Sequence, residues 1–142
     1  MSYREKIAWW SLAAMLLCYI PYFTLVATGV FPGRDLPDLQ QLLVFGITAT
    51  GHAVILGLGY LWCRRQSLAE VKAPMDERDR AIEYRGTRAA YFVLMAGIIL
   101  VGCVLPFTES GWSLVNTALL MIILAEVVHD GIVAVSHRRQ AA

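Results

Sequence analysis

The sequence predicts an all-α, polytopic membrane protein: a four-transmembrane-helix bundle with a cytoplasmic extension of helix 3. Three observations carry that prediction. First, the 142-residue chain is 58% hydrophobic and 16% charged, whereas soluble domains are about 45–50% apolar and about 25% charged. Second, the apolar residues are gathered into four long runs, each close to the roughly 20 residues a helix needs to cross a bilayer. Third, the runs are separated by a loop with Pro, Gly and Asp at 32–40, one longer charged segment at 64–88 and a short polar stretch at 108–113. The whole chain, 1–142, reads as a single membrane domain.

The first span covers about 7–31. It is longer than the roughly 7–15 residues of a signal-peptide core, so it is expected to remain in the membrane. Pro21 lies inside it and is expected to bend it. Trp9 and Trp10 mark an interface, where amphipathic rings prefer to sit. The Pro, Gly and Asp content of 32–40 predicts a loop. The second span covers about 41–63, and its Gly46, Gly51, Gly57 and Gly59 are small residues of the kind that let membrane helices approach closely. His52 lies near its middle.

The segment 64–88 is the longest polar stretch, and Pro74 breaks it. Asp76 has the character of an N-cap, with Glu77 and Asp79 in the first turn, where acidic groups complement the helix dipole. The pattern continues as helix through Arg88 into the third span, about 89–107. That helix should project beyond the bilayer by about three turns. Pro106 and the loop 108–113 end it, and the fourth span covers about 114–135.

The distribution of charge orients the spans. The N-terminus, the segment 64–88 and the C-terminus hold eleven of the twelve Lys and Arg residues, and Arg34 is the twelfth. Basic flanks stay on the cytoplasmic side, so both termini and the long polar segment are expected there, in a multi-pass protein of the bacterial inner membrane. Net charge +1 and the lack of a basic patch with interleaved aromatics give no hint of nucleic-acid binding, and no nucleic-acid partner is expected. Cys18, Cys63 and Cys103 are far apart and form no C-x-x-C pair. They read as small buried hydrophobes. No Ser or Cys has a visible base partner, which argues against a nucleophilic enzyme.

Three stretches carry a resemblance: Arg4-Glu5-Lys6 followed by Ala8-Trp9; Asp76-Glu77-Arg78-Asp79-Arg80-Ala81-Ile82-Glu83; and Leu124-Ala125-Glu126. In that order the chain resembles a group of uncharacterised small bacterial inner-membrane proteins with four predicted spans, whose DERDR-type block precedes the third. The resemblance implies location and architecture, and it supplies no catalytic residue. Some proteins of this general kind sit beside small helix-turn-helix regulators, which implies a regulatory role.

Ionisable groups at membrane depth are costly and are functional candidates. In the fourth span, taking Glu126 as the origin and about 100° per residue, His129 falls near −60°, Asp130 near +40° and His137 near +20°. Counted from the basic anchors Arg64 and Arg138, His52 and Glu126 lie at similar depth. His52, Glu126, His129 and Asp130 are therefore expected to form one intramembrane polar cluster in the bundle interior. Two readings follow. The cluster is a satisfied structural one in a non-enzymatic protein that acts through interaction, as a sensor or accessory subunit. Alternatively, Glu126 exchanges protons with His52 modulating it, in a small proton-coupled transporter that works as an oligomer. Glu126-x-x-His129 has the spacing of di-iron bundles, but the further glutamates and second copy of the motif are absent, and no cofactor is expected. Asp76, Glu77, Arg78, Asp79, Arg80, Arg85 and Arg88 form a charged surface that meets lipid head groups or docks a partner. The expected partners are the lipid bilayer and either a second copy or another membrane protein.

Overall fold

A computed structural model describes residues 3–31, 38–66 and 76–141, with side chains to 139. Pro74, Lys72, Arg34 and Asp35 lie outside the described residues. Four helices account for the described chain: α1, Tyr3–Ala27; α2, Leu39–Gln66; α3, Glu77–Ile99; and α4, Trp112–Ala141. Counting the continuation of α3 to Phe107, all four are long and apolar enough to cross a membrane.

Helices α2 and α4 outrun their predicted spans at both ends, because apolar runs mark the lipid-exposed part and the hydrogen-bond ladder continues into the polar flanks. Helix α1 passes through Pro21 without interruption and ends earlier than the predicted 31. Its end is a Schellman motif: Gly29 takes φ +70°, Gly29 N–H donates to Val26 O and Val30 N–H to Leu25 O. A left-handed residue at this position is cheap only for glycine. Helix α2 is capped by Asp38, whose Oδ1 accepts from the N–H of Gln40 and Gln41. Asp76 caps α3 as its sequence predicts, accepting from Glu77 N–H at 2.7 Å.

Helix α3 does not end cleanly. Leu100–Val104 form a π turn and Leu105–Phe107 a 3₁₀ turn. Pro106 is the physical cause: it has no N–H, and its ring crowds the carbonyl one turn back. The ladder widens just before it, with Leu105 N–H reaching Leu100 O. The α3 unit is 31 residues long as far as Phe107, about 46 Å at 1.5 Å per residue. That exceeds a hydrocarbon core of about 30 Å by about three turns, as the charged start of the helix predicts.

The large interfaces are α3 on α4, α1 on α2 and α1 on α4. The helices therefore stand in the order α2, α1, α4, α3, with α1 between α2 and α4. The α3–α4 seam is antiparallel and built on glycines: Gly86 meets His129 and Val133, and Gly97 meets Met121. A Cβ at Gly86 would come within 3.1 Å of His129 Cδ2, so the bare backbone is what admits this approach. On α2 the expectation holds only for Gly59, which is covered by the Trp10 indole. Gly46, Gly51 and Gly57 face open space, because α2 packs along one side only. Trp10 likewise does more than sit at the lipid interface, since its Nε1–H donates to Ile55 O at 2.9 Å. Of the cysteines, Cys63 is buried, Cys18 half-buried and Cys103 exposed, so the small-hydrophobe reading suits the first alone.

Candidate functional site

At the end of the bundle that carries the basic flanks, three helices converge. Ala8 and Leu12 of α1, Ile82 of α3 and Val133 and Ala134 of α4 form the buried core there. Polar side chains ring this core. Arg4 Nε lies 3.2 Å from Asp79 Oδ2, and the buried His137 places Nδ1 4.0 Å from Asp79 Oδ1. One turn along, His129 Nε2 lies 3.5 Å from Glu83 Oε1. His129 Nδ1 is 3.0 Å from Asp130 Oδ1. Glu5, also in the first turn of α1, is buried. Asp79 thus joins α1, α3 and α4, and Glu83 adds a second α3–α4 contact.

The block Asp76–Arg88 divides accordingly. Asp76, Glu77, Arg78, Arg80, Arg85 and Arg88 are exposed, in keeping with a surface open to lipid head groups or a partner. Asp79 is not part of that surface. It falls on the helix face that carries Ile82, so the side chain turns inward to Arg4 and His137. Arg88 lies over the Phe92 ring, 5.9 Å from its centroid, a geometry that suits a cation–π contact.

The single intramembrane cluster expected from the sequence is not formed. His129 pairs with Asp130 through one ring nitrogen and with Glu83 through the other. Glu126 is exposed. His52 lies in the α1–α2 interface, its ring edge-on to Tyr19 with centroids 5.2 Å apart. Its Nε2 is buried without a hydrogen-bond partner among the described residues. Because α1 stands between α2 and α4, His52 and Glu126 lie on opposite sides of α1.

The reason Glu126 is exposed lies in how α1 and α3 diverge. Glu126, His129, Asp130, Val133 and His137 do form one stripe of α4, about 100° wide. Its basic end is closed between α1 and α3, where Val133 and His137 are buried. One turn further the side chains of Asp130 and His129 are 14% and 22% exposed. Beyond them Glu126 is exposed, as is Ile122 at 49%. The stripe therefore faces a wedge that α1 and α3 close at one end and leave open at mid-span.

A second polar link, which sequence reasoning missed, lies at the opposite end. Tyr22, 1% exposed, donates from its hydroxyl to Asn116 Oδ1 at 2.8 Å. Gln41, 2% exposed, sits beside the same hydroxyl. These residues join α1, α4 and α2. Asn116 within an apolar run was the available signal, since a buried amide in lipid needs a partner.

Among the described residues, no three His, Cys, Asp or Glu side chains are grouped to hold a metal ion. No family model, curated protein or solved structure matches the chain, so its function is read from the geometry alone.

Proposed function

We propose that this chain is a non-enzymatic integral protein of the bacterial inner membrane, with both termini cytoplasmic, that acts through protein interaction as a sensor or accessory subunit. The observation that carries the reading is Glu126, an exposed side chain in the middle of an apolar helix. A carboxyl turned to hydrocarbon costs several kcal/mol without a hydrogen-bond partner. A helix seated in the open wedge between α1 and α3, bringing a donor to Glu126, removes that cost. The side chains nearer the basic end leave room for no such partner, because they already meet one another. The orientation is supported by the charge count, since the N-terminus, the segment 64–88 and the C-terminus carry eleven of the twelve basic residues in the sequence.

The transport reading draws less support, since His52 and Glu126 do not share a path within one chain. The test is a photo-crosslinking amino acid at Ile122, in the wedge, and at Leu17 as an exposed control outside it. The expected result is a discrete adduct from position 122 that is lost with Glu126→Ala and absent from position 17. Twice the chain mass identifies a second copy, and any other discrete mass a different membrane protein. Lipid labelling alone from position 122, together with pH-gradient-driven flux in liposomes that Glu126→Gln abolishes, overturns the proposal in favour of transport.

A further inference from the structure

At the end of the bundle away from the basic flanks, the last turns of α1, the first turn of α2 and the first turns of α4 enclose an open-mouthed cavity of about 780 Å³. Small-molecule sites span about 300–1,000 Å³. Phe23, Val26, Phe31, Trp112 and Leu120 supply an apolar and aromatic wall. Glu109 is the one charged side chain among the described lining residues.

Asn116 and Thr117 of the wall are spent on the protein itself, while the Trp112 Nε1–H is buried without a partner among the described residues. Asn116 accepts from Tyr22, and the Thr117 hydroxyl donates to Ser113 O at 2.9 Å. Asp38, which begins α2, is engaged by the N–H groups of Gln40 and Gln41. Glu109 is exposed, and no described cation pairs with it. The amino end of α4 contributes about half a positive charge, which the full negative charge of Glu109 outweighs. Among the described residues the mouth is therefore net acidic and the wall apolar and aromatic, a combination that favours a cation with an apolar body over an anion.

From this lining we infer that the cavity binds an organic cation. The ammonium head sits at the mouth against Glu109 and beside the aromatic side chains, and the apolar body lies against Phe23, Val26 and Leu120. A free amphipathic amine and the ammonium head of a membrane lipid share this chemistry. The inference goes beyond the interaction reading and rests on different residues.

Equilibrium dialysis of benzyltrimethylammonium tests it on the full chain, delipidated in a maltoside detergent. The expected result is saturable binding that weakens about tenfold or more with Glu109→Gln, at an unchanged melting temperature. The neutral isostere neopentylbenzene should not compete. Competition by phosphatidylethanolamine but not phosphatidylglycerol identifies a lipid head as the source, and no competition by either identifies a free amine. The inference fails if binding is not saturable, if Glu109→Gln binds as well as the unaltered chain, or if benzylsulfonate binds equally. The adduct formed at Ile122 does not depend on Glu109, so the two readings fail separately.

Discussion

At the scale of single residues, Asp79 and Tyr22 do the most to tie helices together. Asp79 is 28% exposed and meets Arg4 and His137 from two other helices. An ion pair this open to solvent contributes modestly, so Asp79→Ala should lower stability by about 0.5–1 kcal/mol. A double-mutant cycle with Arg4→Ala in unfolding titrations should show positive coupling, and additive losses would deny the contact any energetic role. Tyr22 is a different case, because its hydroxyl and the Asn116 amide are both buried. Tyr22→Phe leaves an amide oxygen in an apolar surround and should cost about 0.5–1.5 kcal/mol. Neither contact was legible in the sequence. Asp79 reads as one acid in a charged block, and its inward turn follows only from the neighbours that α1 and α4 bring to it.

At the scale of the element, the glycines divide by what packs on them. Gly59 lies under the Trp10 indole and Gly97 against Met121. A larger side chain at either position forces the neighbour away, so Gly59→Leu and Gly97→Leu should each cost about 1–3 kcal/mol in thermal unfolding. Gly51 faces open space, so Gly51→Ala should change stability by about 0.5 kcal/mol or less. If Gly51→Ala proves as damaging as Gly59→Leu, the one-sided packing of α2 is wrong. The π turn ahead of Pro106 belongs to the same scale. Pro106 predicts a break in the ladder there, while the choice of a widened turn over a kink depends on the local packing.

At the scale of the whole molecule, the opening between α1 and α3 decides how the ionisable groups are distributed. The two helices meet through Arg4–Asp79 and the Leu12–Ile82 core at the basic end and separate toward mid-span. His137 is thereby enclosed and Glu126 left outside. In the isolated chain Glu126→Leu should therefore leave the melting temperature unchanged or raise it, as removal of a lipid-facing carboxyl relieves a cost. A large loss of stability would mean that Glu126 is enclosed after all. The orientation is tested by fusing alkaline phosphatase or green fluorescent protein to the C-terminus. Fluorescence without phosphatase activity is the expected outcome, and the reverse pattern would invert the topology.

The number of helices, their approximate extents, the Asp76 cap and the grouping of basic residues at one end were all determined by the sequence alone. Each follows from local properties: apolar run length, capping chemistry and the cost of burying charge in lipid. The separation of His52 from Glu126, the inward turn of Asp79 and the Tyr22–Asn116 link were decided by the tertiary structure. Helical periodicity establishes which residues share a face of one helix. Whether that face is covered depends on how neighbouring helices converge, and here they close on one half of the α4 stripe and leave the other half bare.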